Sequence, residues 1–411
     1  MPSVTIDHMI ALTMFLVVVL LSIGAYSQIM GAATIQQQNH HVAMKAYELA
    51  NGILLNPGYP LNWGQSNSTP SAFGLQDPDQ GGYSLSPFSL QRLMSSSQAP
   101  VYYSKTGLWY SNNSLGGGGS LLTRVGGCVN YTTAAKLLGV NGSYGFQLVI
   151  KPTLNVSISE VNLYPLRLSV NVRGPGLPLS GASLNYSLFS AVPSGDPNIP
   201  YPLLNVYSGT AQTNITGSAL LDFASIDGSQ YAYSIIVYAH LSGLVGSGYH
   251  SRTNFTNNAF IVPLIQNFET GQVLLAHNWD INPPSGGGTA ALHFDSTFLV
   301  FDRNFGLREV AIANSNGTVN YGQGQPYYQV QIPTSEPGIL LVTYRKGNEY
   351  CITMTPWGIS PLGFSITFGG DSSNADWVAT ELRQITVDGI SYQVKLAVWN
   401  IKGRQLWGYN Q

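Results

Sequence analysis

The feature that most constrains this chain is an uncharged apolar run near its N-terminus, which extends from Met9 to Tyr26. At about 1.5 Å per residue, a helix of this length is just long enough to cross a hydrocarbon core of about 30 Å. The stretch from Ser27 to Ala33 can extend the helix because it adds no charge. We therefore predict an N-terminal helix that lies in lipid or in an apolar helical core, with the rest of the chain outside it.

The residues before the run do not resemble a secretory signal peptide. Signal peptides begin with a basic stretch and end at a small-residue cleavage site. The first eight residues contain no Lys or Arg and include Asp7, and the first basic residue of the chain is Lys45. Cleavage after the run is therefore not expected, and the positive-inside rule gives no orientation.

The helical pattern continues past the apolar run and ends before Pro57. Apolar residues recur at spacings of seven, four, three and four, which places them on one helix face. They are Ile35, Val42, Ala46, Leu49 and Ile53. A helix from Thr5 to Leu55 is predicted, about 75 Å long, with its second half packed on a domain. A chain that begins at Pro57 is expected to fold without the helix.

The chain contains few charged residues, which limits the classes of function that it can have. It has 17 Lys and Arg against 19 Asp and Glu, and only 9% of its residues are charged, compared with about 25% in ordinary soluble domains. Such a chain offers no basic surface to a nucleic acid, so no nucleic-acid partner is expected. Asn-x-Ser/Thr triplets, which carry N-glycans in exported proteins, offer another source of solubility. The predicted glycosylation sites are Asn67, Asn112, Asn130, Asn141, Asn155, Asn185, Asn214, Asn254 and Asn316.

Several motifs in the first 160 residues resemble those of one family. Asp7 precedes the apolar run, the helix continues in polar form, and the segments LLNPGYPLNWG (54–64), FGL (73–75) and LSPFSLQRL (85–93) follow. Together they resemble archaeal type IV pilins and their larger pilin-like relatives. In that family the apolar helices form the filament core, and the acidic residue neutralises the N-terminal amine of a neighbouring subunit. The resemblance therefore implies an assembly role for Asp7.

The chain departs from this family at its start. Family precursors carry a leader that ends in a basic stretch before a small residue, and residues 1–8 contain no such stretch. Two alternatives stay open. Either the numbered chain lacks its leader, or the protein keeps its N-terminus and is an anchored relative of the pilins.

The predicted fold class is a long N-terminal hydrophobic α-helix followed by mainly β ectodomains. At this length, more than one domain is expected. The predicted units are the transmembrane or filament-core helix (1–56), a small α+β pilin-like domain (57–160), an Ig-like β-sandwich (161–265) and a C-terminal all-β domain (266–411).

Local patterns support these units. The segment LRLSVNVR (166–173) alternates strictly between apolar and polar residues, which indicates a strand with one buried face. With the turns that follow it, this strand resembles small Ig-like or prealbumin-like sandwiches. Hairpins are predicted at 339–354 and 383–399, the second around Asp388-Gly389, a strong signal for a two-residue turn. Short helices are predicted at 87–94 and 132–138.

No catalytic, cofactor-binding or metal-binding residues are predicted. The histidines are dispersed, and the adjacent His40 and His41 would point about 100° apart on a helix, which makes them poor joint ligands. The segment DPDQG (77–81) is predicted to be a polar turn, because no closing Glu makes it a calcium loop. The glycine-rich stretches 116–119 and 283–288 are predicted loops, and the first lacks the context of a phosphate-binding loop.

The two cysteines, Cys128 and Cys351, are too few to build a disulfide scaffold. They fall in different predicted units, and a bridge needs Cα atoms within about 7 Å of each other. Isolated thiols are therefore expected, while a bridge stays open if the two units dock.

The sequence thus predicts a structural protein of the cell surface and not an enzyme. The pilin resemblance implies a subunit or accessory component of an archaeal type IV pilus-like filament, with glycosylated β domains exposed. Expected partners are a membrane at the N-terminal helix, further copies or other pilin-like subunits, and N-glycans, with no cofactor. The first alternative is a membrane-anchored monomeric surface protein or adhesin. A secreted hydrolase is a more distant alternative, because paired carboxylates can converge from distant positions.

Overall fold

The structure is a computed structural model of the chain. It describes residues 2–94, 100–116, 119–140, 142–253, 259–282, 291–302, 304–322, 327–359 and 362–401. The predictions made for the loop positions 117–118 and 283–288 and for Asn141 and Asn254 lie outside the described residues.

One very long helix opens the chain, and the other described helices are short. They are α1 (Pro2–Leu54), α2 (Pro87–Met94), α3 (Tyr131–Leu137) and α4 (Asn278–Ile281). Helix α1 has 53 residues, which corresponds to a length of about 80 Å. It ends shortly before Pro57, which disfavours helical backbone in the residue that precedes it. The predicted helix from Thr5 to Leu55 is confirmed.

Side-chain caps define where α2 and α3 begin. The Ser86 hydroxyl oxygen accepts a hydrogen bond from the backbone N–H of Ser89 at 3.3 Å, and Asn130 Oδ1 accepts one from the backbone N–H of Thr133 at 2.9 Å. Each cap satisfies an amide that the first turn of a helix leaves free. Both predicted helices are confirmed, and the second begins and ends one residue earlier than predicted.

Strands form most of the remaining described chain. In chain order they are β1 (Val101–Tyr103), β2 (Leu108–Tyr110), β3 (Asn113–Gly116), β4 (Gly119–Thr123), β5 (Tyr144–Pro152), β6 (Asn155–Leu163), β7 (Leu166–Arg173), β8 (Ser183–Val192), β9 (Leu203–Gln212), β10 (Ser218–Phe223), β11 (Tyr233–Leu241), β12 (Leu244–Arg252), β13 (Ile261–Asn267), β14 (Gln272–His277), β15 (Ala291–Phe301), β16 (Leu307–Val310), β17 (Asn316–Asn320), β18 (Tyr327–Gln331), β19 (Gly338–Lys346), β20 (Glu349–Trp357), β21 (Ile366–Gly369), β22 (Ala379–Val387) and β23 (Ile390–Asn400). They form several separate sheets. The predicted fold class, a long apolar helix followed by mainly β structure, is confirmed.

A β-sandwich forms the middle of the chain. Its two sheets have the strand orders β10-β7-β6 and β12-β11-β8-β9, with every neighbouring pair antiparallel. The apolar residues of β7, which are Leu166, Leu168, Val170 and Val172, are completely buried against residues of β8 and β11. The polar residues between them face outward. The alternation predicted for this strand is therefore confirmed.

The sheet next to α1 combines strands from distant parts of the chain. Its order is β21-β5-β23-β22, and β5 pairs with β23 along its whole length. This pairing joins residues of the predicted 57–160 unit to residues of the predicted 266–411 unit. Strand β4 makes a different link, because Leu122 pairs in parallel with Leu264 of β13, which lies at the end of the predicted 161–265 unit.

The last part of the chain adds two more sheets. Their orders are β18-β14-β13-β4-β3 and β16-β15-β19-β20, and β17 also pairs with β15. In the turn between β22 and β23, Asp388 has φ 47° and Gly389 has φ 82°. Positive φ at both positions is what a type I′ hairpin turn requires. Both predicted hairpins, β19 with β20 and β22 with β23, are confirmed.

The last turns of α1 belong to the largest hydrophobic core. Val42, Ala46, Leu49 and Ile53 are at most 4% exposed, and α1 contacts β22 and β23. The predicted apolar stripe is confirmed for these four residues. It is wrong for Ile35, which is 60% exposed, because the helix has already left the domain surface at that point.

Glu160 of β6 connects the two sheets of the sandwich at one edge. Its carboxylate accepts hydrogen bonds from the Tyr233 hydroxyl at 2.7 Å and from Arg252 Nη1 at 2.8 Å, and His250 Nε2 lies 3.3 Å away. Partial burial by itself raises the pKa of Glu160, but the hydrogen bonds from Tyr233 and His250 and the charge of Arg252 outweigh it. The pKa of this carboxyl therefore lies below its usual value, and the ionised form stabilises the contact.

Replacing Glu160 with Gln should remove an acid-sensitive part of the stability. Because the folded-state pKa lies below the unfolded value, the stabilisation is complete above about pH 5 and is lost as the pH falls through the folded-state pKa. We expect wild type to be more stable than E160Q at neutral pH, and the difference to shrink in acid. Urea unfolding of both proteins across the range from neutral to about pH 3 measures this difference. A stability difference between the two proteins that does not depend on pH would show that ionised Glu160 does not stabilise this contact.

The structure limits how far the long helix can be shortened. It argues against the expectation that a chain beginning at Pro57 folds by itself, because α1 supplies core residues. Burying each large aliphatic side chain contributes about 1.5–3 kcal/mol, and a domain has a total stability of only about 5–15 kcal/mol. We expect a chain that begins at Gln38 to unfold cooperatively, and a chain that begins at Pro57 to be largely unfolded or aggregated. Circular dichroism melting compares them, and equal melting temperatures would exclude a core role for α1.

Candidate assembly surface

The N-terminal part of α1 presents apolar side chains to solvent. From Ile6 to Gln38 every residue except the half-buried Val19 is exposed. The most apolar 18-residue window of α1 has a mean hydropathy of 2.4 and is 0% buried, so the helix is long and apolar enough to cross a membrane. A continuous apolar surface of this size marks a membrane or protein interaction site. We call residues 6–38 the apolar shaft.

Three of the hydroxyl groups on the apolar shaft are satisfied within the helix. Thr13 donates to the carbonyl oxygen of Met9 at 2.7 Å, and Ser22 donates to that of Val18 at 2.8 Å. Thr34 makes the same contact one turn back at 2.8 Å. In an apolar environment an unsatisfied polar group is costly, so these internal bonds suit the shaft to lipid or to packing against other helices.

One face of the shaft allows close approach of another helix. Gly24 and Gly31 lie seven residues apart, with Ser27 between them, and a Cβ added at either glycine would have no neighbour within 4 Å. Small residues at such spacings let helix backbones come close together in membranes and bundles.

Asp7 lies at the start of the shaft and is exposed. Among the described residues, no ion pair or hydrogen bond engages its carboxylate. The next charged side chains are Lys45 and Glu48, which lie 3.4 Å apart where the helix reaches the domain. If the shaft enters lipid or a helix bundle, the Asp7 carboxylate therefore needs a cationic partner other than the described residues of this chain.

The segments that carry the pilin resemblance come together at the base of α1. Trp63 Nε1 donates hydrogen bonds to the carbonyl oxygens of Pro57 and Gly74, both at 2.9 Å. Gly74 approaches Asn56 so closely that an added Cβ would lie 2.0 Å from its carbonyl oxygen. The role of these residues in the structure is to fasten the loop 57–75 to the end of the long helix.

Arg92, in the third of these segments, is completely buried beside the same loop. Its guanidinium donates hydrogen bonds to the backbone carbonyls of Gly127, Trp63 and Ser68, and it lies 5.1 Å from the centre of the Trp63 ring. Burial lowers the pKa of Arg92 to about 10, so the side chain stays charged at neutral pH. Sequence reasoning did not identify this residue, because no local pattern separates a buried arginine from one on a polar helix face.

Most of the described sequons are accessible. Exposed asparagines are Asn112, Asn130, Asn155, Asn214 and Asn316. Asn67 is half-buried, and so is Asn185, whose Nδ2 donates to the carbonyl oxygen of Asn304 at 3.4 Å. Because an N-glycan is attached through Nδ2, Asn185 is the least suitable acceptor among these sites.

Within the described ranges there is no group of three or more His, Cys, Asp or Glu side chains that could hold a metal ion. Asp77 Oδ1 accepts hydrogen bonds from the backbone N–H groups of Asp79 and Gln80, so the predicted polar turn is confirmed. Within the described part of the chain, Cys128 and Cys351 form no disulfide bond, as expected. Burial raises the pKa of the Cys128 thiol to about 11 and that of Cys351 to about 12, so neither is a reactive thiolate at neutral pH.

Comparison with known proteins adds little to this geometry. No protein-family model and no curated protein sequence matches the chain. One similar solved structure is trypsin-activated alpha-2-macroglobulin from Escherichia coli, with 12% sequence identity, a TM-score of 0.20 and coverage of 67% of this chain and 20% of that chain. The chain thus spans about a fifth of that protein's length. A likeness at this TM-score supports no conclusion about fold or function.

Replacing Trp63 with Phe should weaken the base of α1. The substitution keeps an aromatic ring but leaves the carbonyl groups of Pro57 and Gly74 without their donor. An unsatisfied buried polar group costs about 1–3 kcal/mol, so the free energy of unfolding should fall by about that amount. Trp109→Phe is the matched control, because that ring is 53% exposed. Urea unfolding of both variants measures the effect, and equal losses would show that the indole N–H is not responsible.

Proposed function

We propose that this protein is a structural subunit or accessory component of an archaeal type IV pilus-like surface filament. In this proposal the apolar shaft lies in the filament core or anchors the protein in the membrane, and the β domains form the exposed, glycosylated surface. The observation that carries the proposal is the exposed apolar shaft on a helix whose other end is fixed in a domain core.

The length of the uncharged surface favours a helix bundle over a plain membrane anchor. No charged side chain occurs between Asp7 and Lys45, a distance of about 57 Å along a helix. A hydrocarbon core is only about 30 Å thick, so a simple anchor has no need of such a long uncharged stretch. In a bundle of parallel copies, neighbouring helices cover the same surface along its whole length.

In such a bundle the carboxylate of Asp7 would be buried and would need an ionic partner. A buried carboxylate is stable only with a partner, and the pilin resemblance suggests the N-terminal amine of a neighbouring subunit. Removing one member of a buried ion pair costs about 3–5 kcal/mol, because the other charge is left unpaired. The pair would therefore control assembly without taking part in the folding of the β domains.

The alternative is a membrane-anchored monomeric surface protein or adhesin. The run from Met9 to Tyr26 is long enough by itself to cross a membrane. In that case the shaft would span lipid as a single helix, and Asp7 would lie at the water interface without a partner subunit.

Substitution of Asp7 by Asn tests the proposal. We expect D7N to reduce the yield of filaments on cells by at least about tenfold, because a buried amine loses its counter-charge. Thr13→Val is the matched control on the same shaft. The Thr13 hydroxyl is satisfied inside the helix, so this variant should assemble normally. Electron microscopy counts the filaments, and thermal melting of each purified protein checks that the β domains are folded.

The possible outcomes separate the two functions. Equal filament yields from wild type and D7N would refute the role of Asp7. A wild-type protein that is present at the surface but makes no filaments would refute assembly and favour the anchored monomer.

A further inference from the structure

A polar cleft lies where the sandwich meets the sheet that contacts α1. Its volume is about 470 Å³, which falls within the range of about 300–1,000 Å³ that is typical of ligand-binding clefts. Three parts of the chain form its walls, the connection from β5 to β6 (151–156), residues 247–249 of β12 and the segment 362–365. The cleft therefore borders both the sandwich and its neighbouring sheet.

The three walls touch through their backbones. A Cβ added at Gly248 would lie 2.2 Å from the carbonyl oxygen of Val156, and one added at Gly363 would lie 2.3 Å from that of Ser247. Glycine is needed at both positions because any side chain would push the walls apart. Two of the walls also meet through side chains, because the Tyr249 and Phe364 rings pack with their centroids 5.5 Å apart.

The wall of the cleft holds a hydroxyl group without a partner. Ser247 is 3% exposed, and its Oγ has no hydrogen-bond partner. Burying an unpaired hydroxyl destabilises the folded protein. A molecule that brings its own hydroxyl groups into the cleft would remove this cost. Lys151 adds a donor at the wall, and Tyr249 and Phe364 add ring surfaces.

Asn155 lies in the same cleft wall and is exposed. It is the first residue of the sequon Asn155-Val156-Ser157. No hydrogen bond within the described part of the chain engages its Nδ2, the atom to which an N-glycan is attached. A sugar bonded there would start at the opening of the cleft. None of the other exposed sequon asparagines lines this cleft.

We propose that Asn155 carries an N-glycan whose first sugars occupy this cleft and join the sandwich to its neighbouring sheet. This inference rests on the proposed function, which requires export of the β domains. In the attachment step, Asn155 Nδ2 bonds to the anomeric carbon of a lipid-phosphate-linked sugar, loses one proton and releases the lipid phosphate. The sugar hydroxyls then pair with Ser247 Oγ and with the Lys151 ammonium, and sugar C–H faces pack on the aromatic rings.

The test compares full-length wild type, N155Q and N316Q, each purified from cells that make the wild-type glycoprotein. Asn316 is also exposed but does not line the cleft, so N316Q is the matched control. Mass spectrometry of glycopeptides measures the occupancy of each sequon, and hydrogen exchange reports on residues 245–249 and 362–365. We expect Asn155 to be occupied, and exchange in both segments to be at least about fivefold faster in N155Q but unchanged in N316Q.

Ser247→Ala tests the contact inside the cleft. In the protein that carries the glycan, we expect S247A to speed up exchange in the two segments. In the N155Q background it should add nothing, because the partner of the hydroxyl is already gone. Additive effects of the two substitutions would overturn the proposed contact.

Two further results would overturn the inference in distinguishable ways. The cleft holds no glycan if Asn155 is bare while other sequons are occupied. The same follows if Asn155 is occupied but hydrogen exchange is equal in wild type and N155Q. In both cases the proposed filament function is unaffected. If every sequon is bare in protein from its own cells, this inference fails together with the glycosylated surface of the proposed function. The filament counts for D7N then decide separately whether assembly survives.

Discussion

The burial of the last turns of α1 is the contact on which the rest of the structure depends. Val42, Leu49 and Ile53 enter the largest core beside β22 and β23, and the backbone N–H of Leu75 donates to the carbonyl oxygen of Ile53 at 2.8 Å. These contacts fix one end of a helix that is about 80 Å long. A helix held at its base points in one direction relative to the β domains, which a repeating assembly requires of each subunit.

The sheet beside the last turns of α1 connects this helix to distant parts of the chain. Strand β5 pairs with β23, and the β22–β23 hairpin contacts α1. The Trp63 and Arg92 contacts add hydrogen bonds within the loop that follows the helix and between that loop and α2. A force applied along α1 is therefore shared among several strands and loops and does not fall on a single linker.

The two ends of the molecule differ in how their polar groups find hydrogen-bond partners. The hydroxyl groups of Thr13, Ser22 and Thr34 are satisfied within the apolar shaft. Asp7 is the one acidic residue of the shaft, and an apolar environment would demand a partner for its carboxylate. The β domains have few charged residues, and their described sequon asparagines are mostly exposed. This division supports the proposal of an apolar assembly surface and a glycosylated exterior, since the shaft suits an apolar environment and the β domains suit water.

The sequence by itself determined the local elements. It determined α1, the alternation in β7 and the turn at Asp388-Gly389, because each depends on a spacing or a backbone preference within a few residues. Only the tertiary structure decided that Val42 is buried and Ile35 exposed, that Arg92 lies inside, and that β5 pairs with β23. Periodicity shows which face of an element is apolar, but what covers that face depends on residues hundreds of positions away, and no local pattern specifies them.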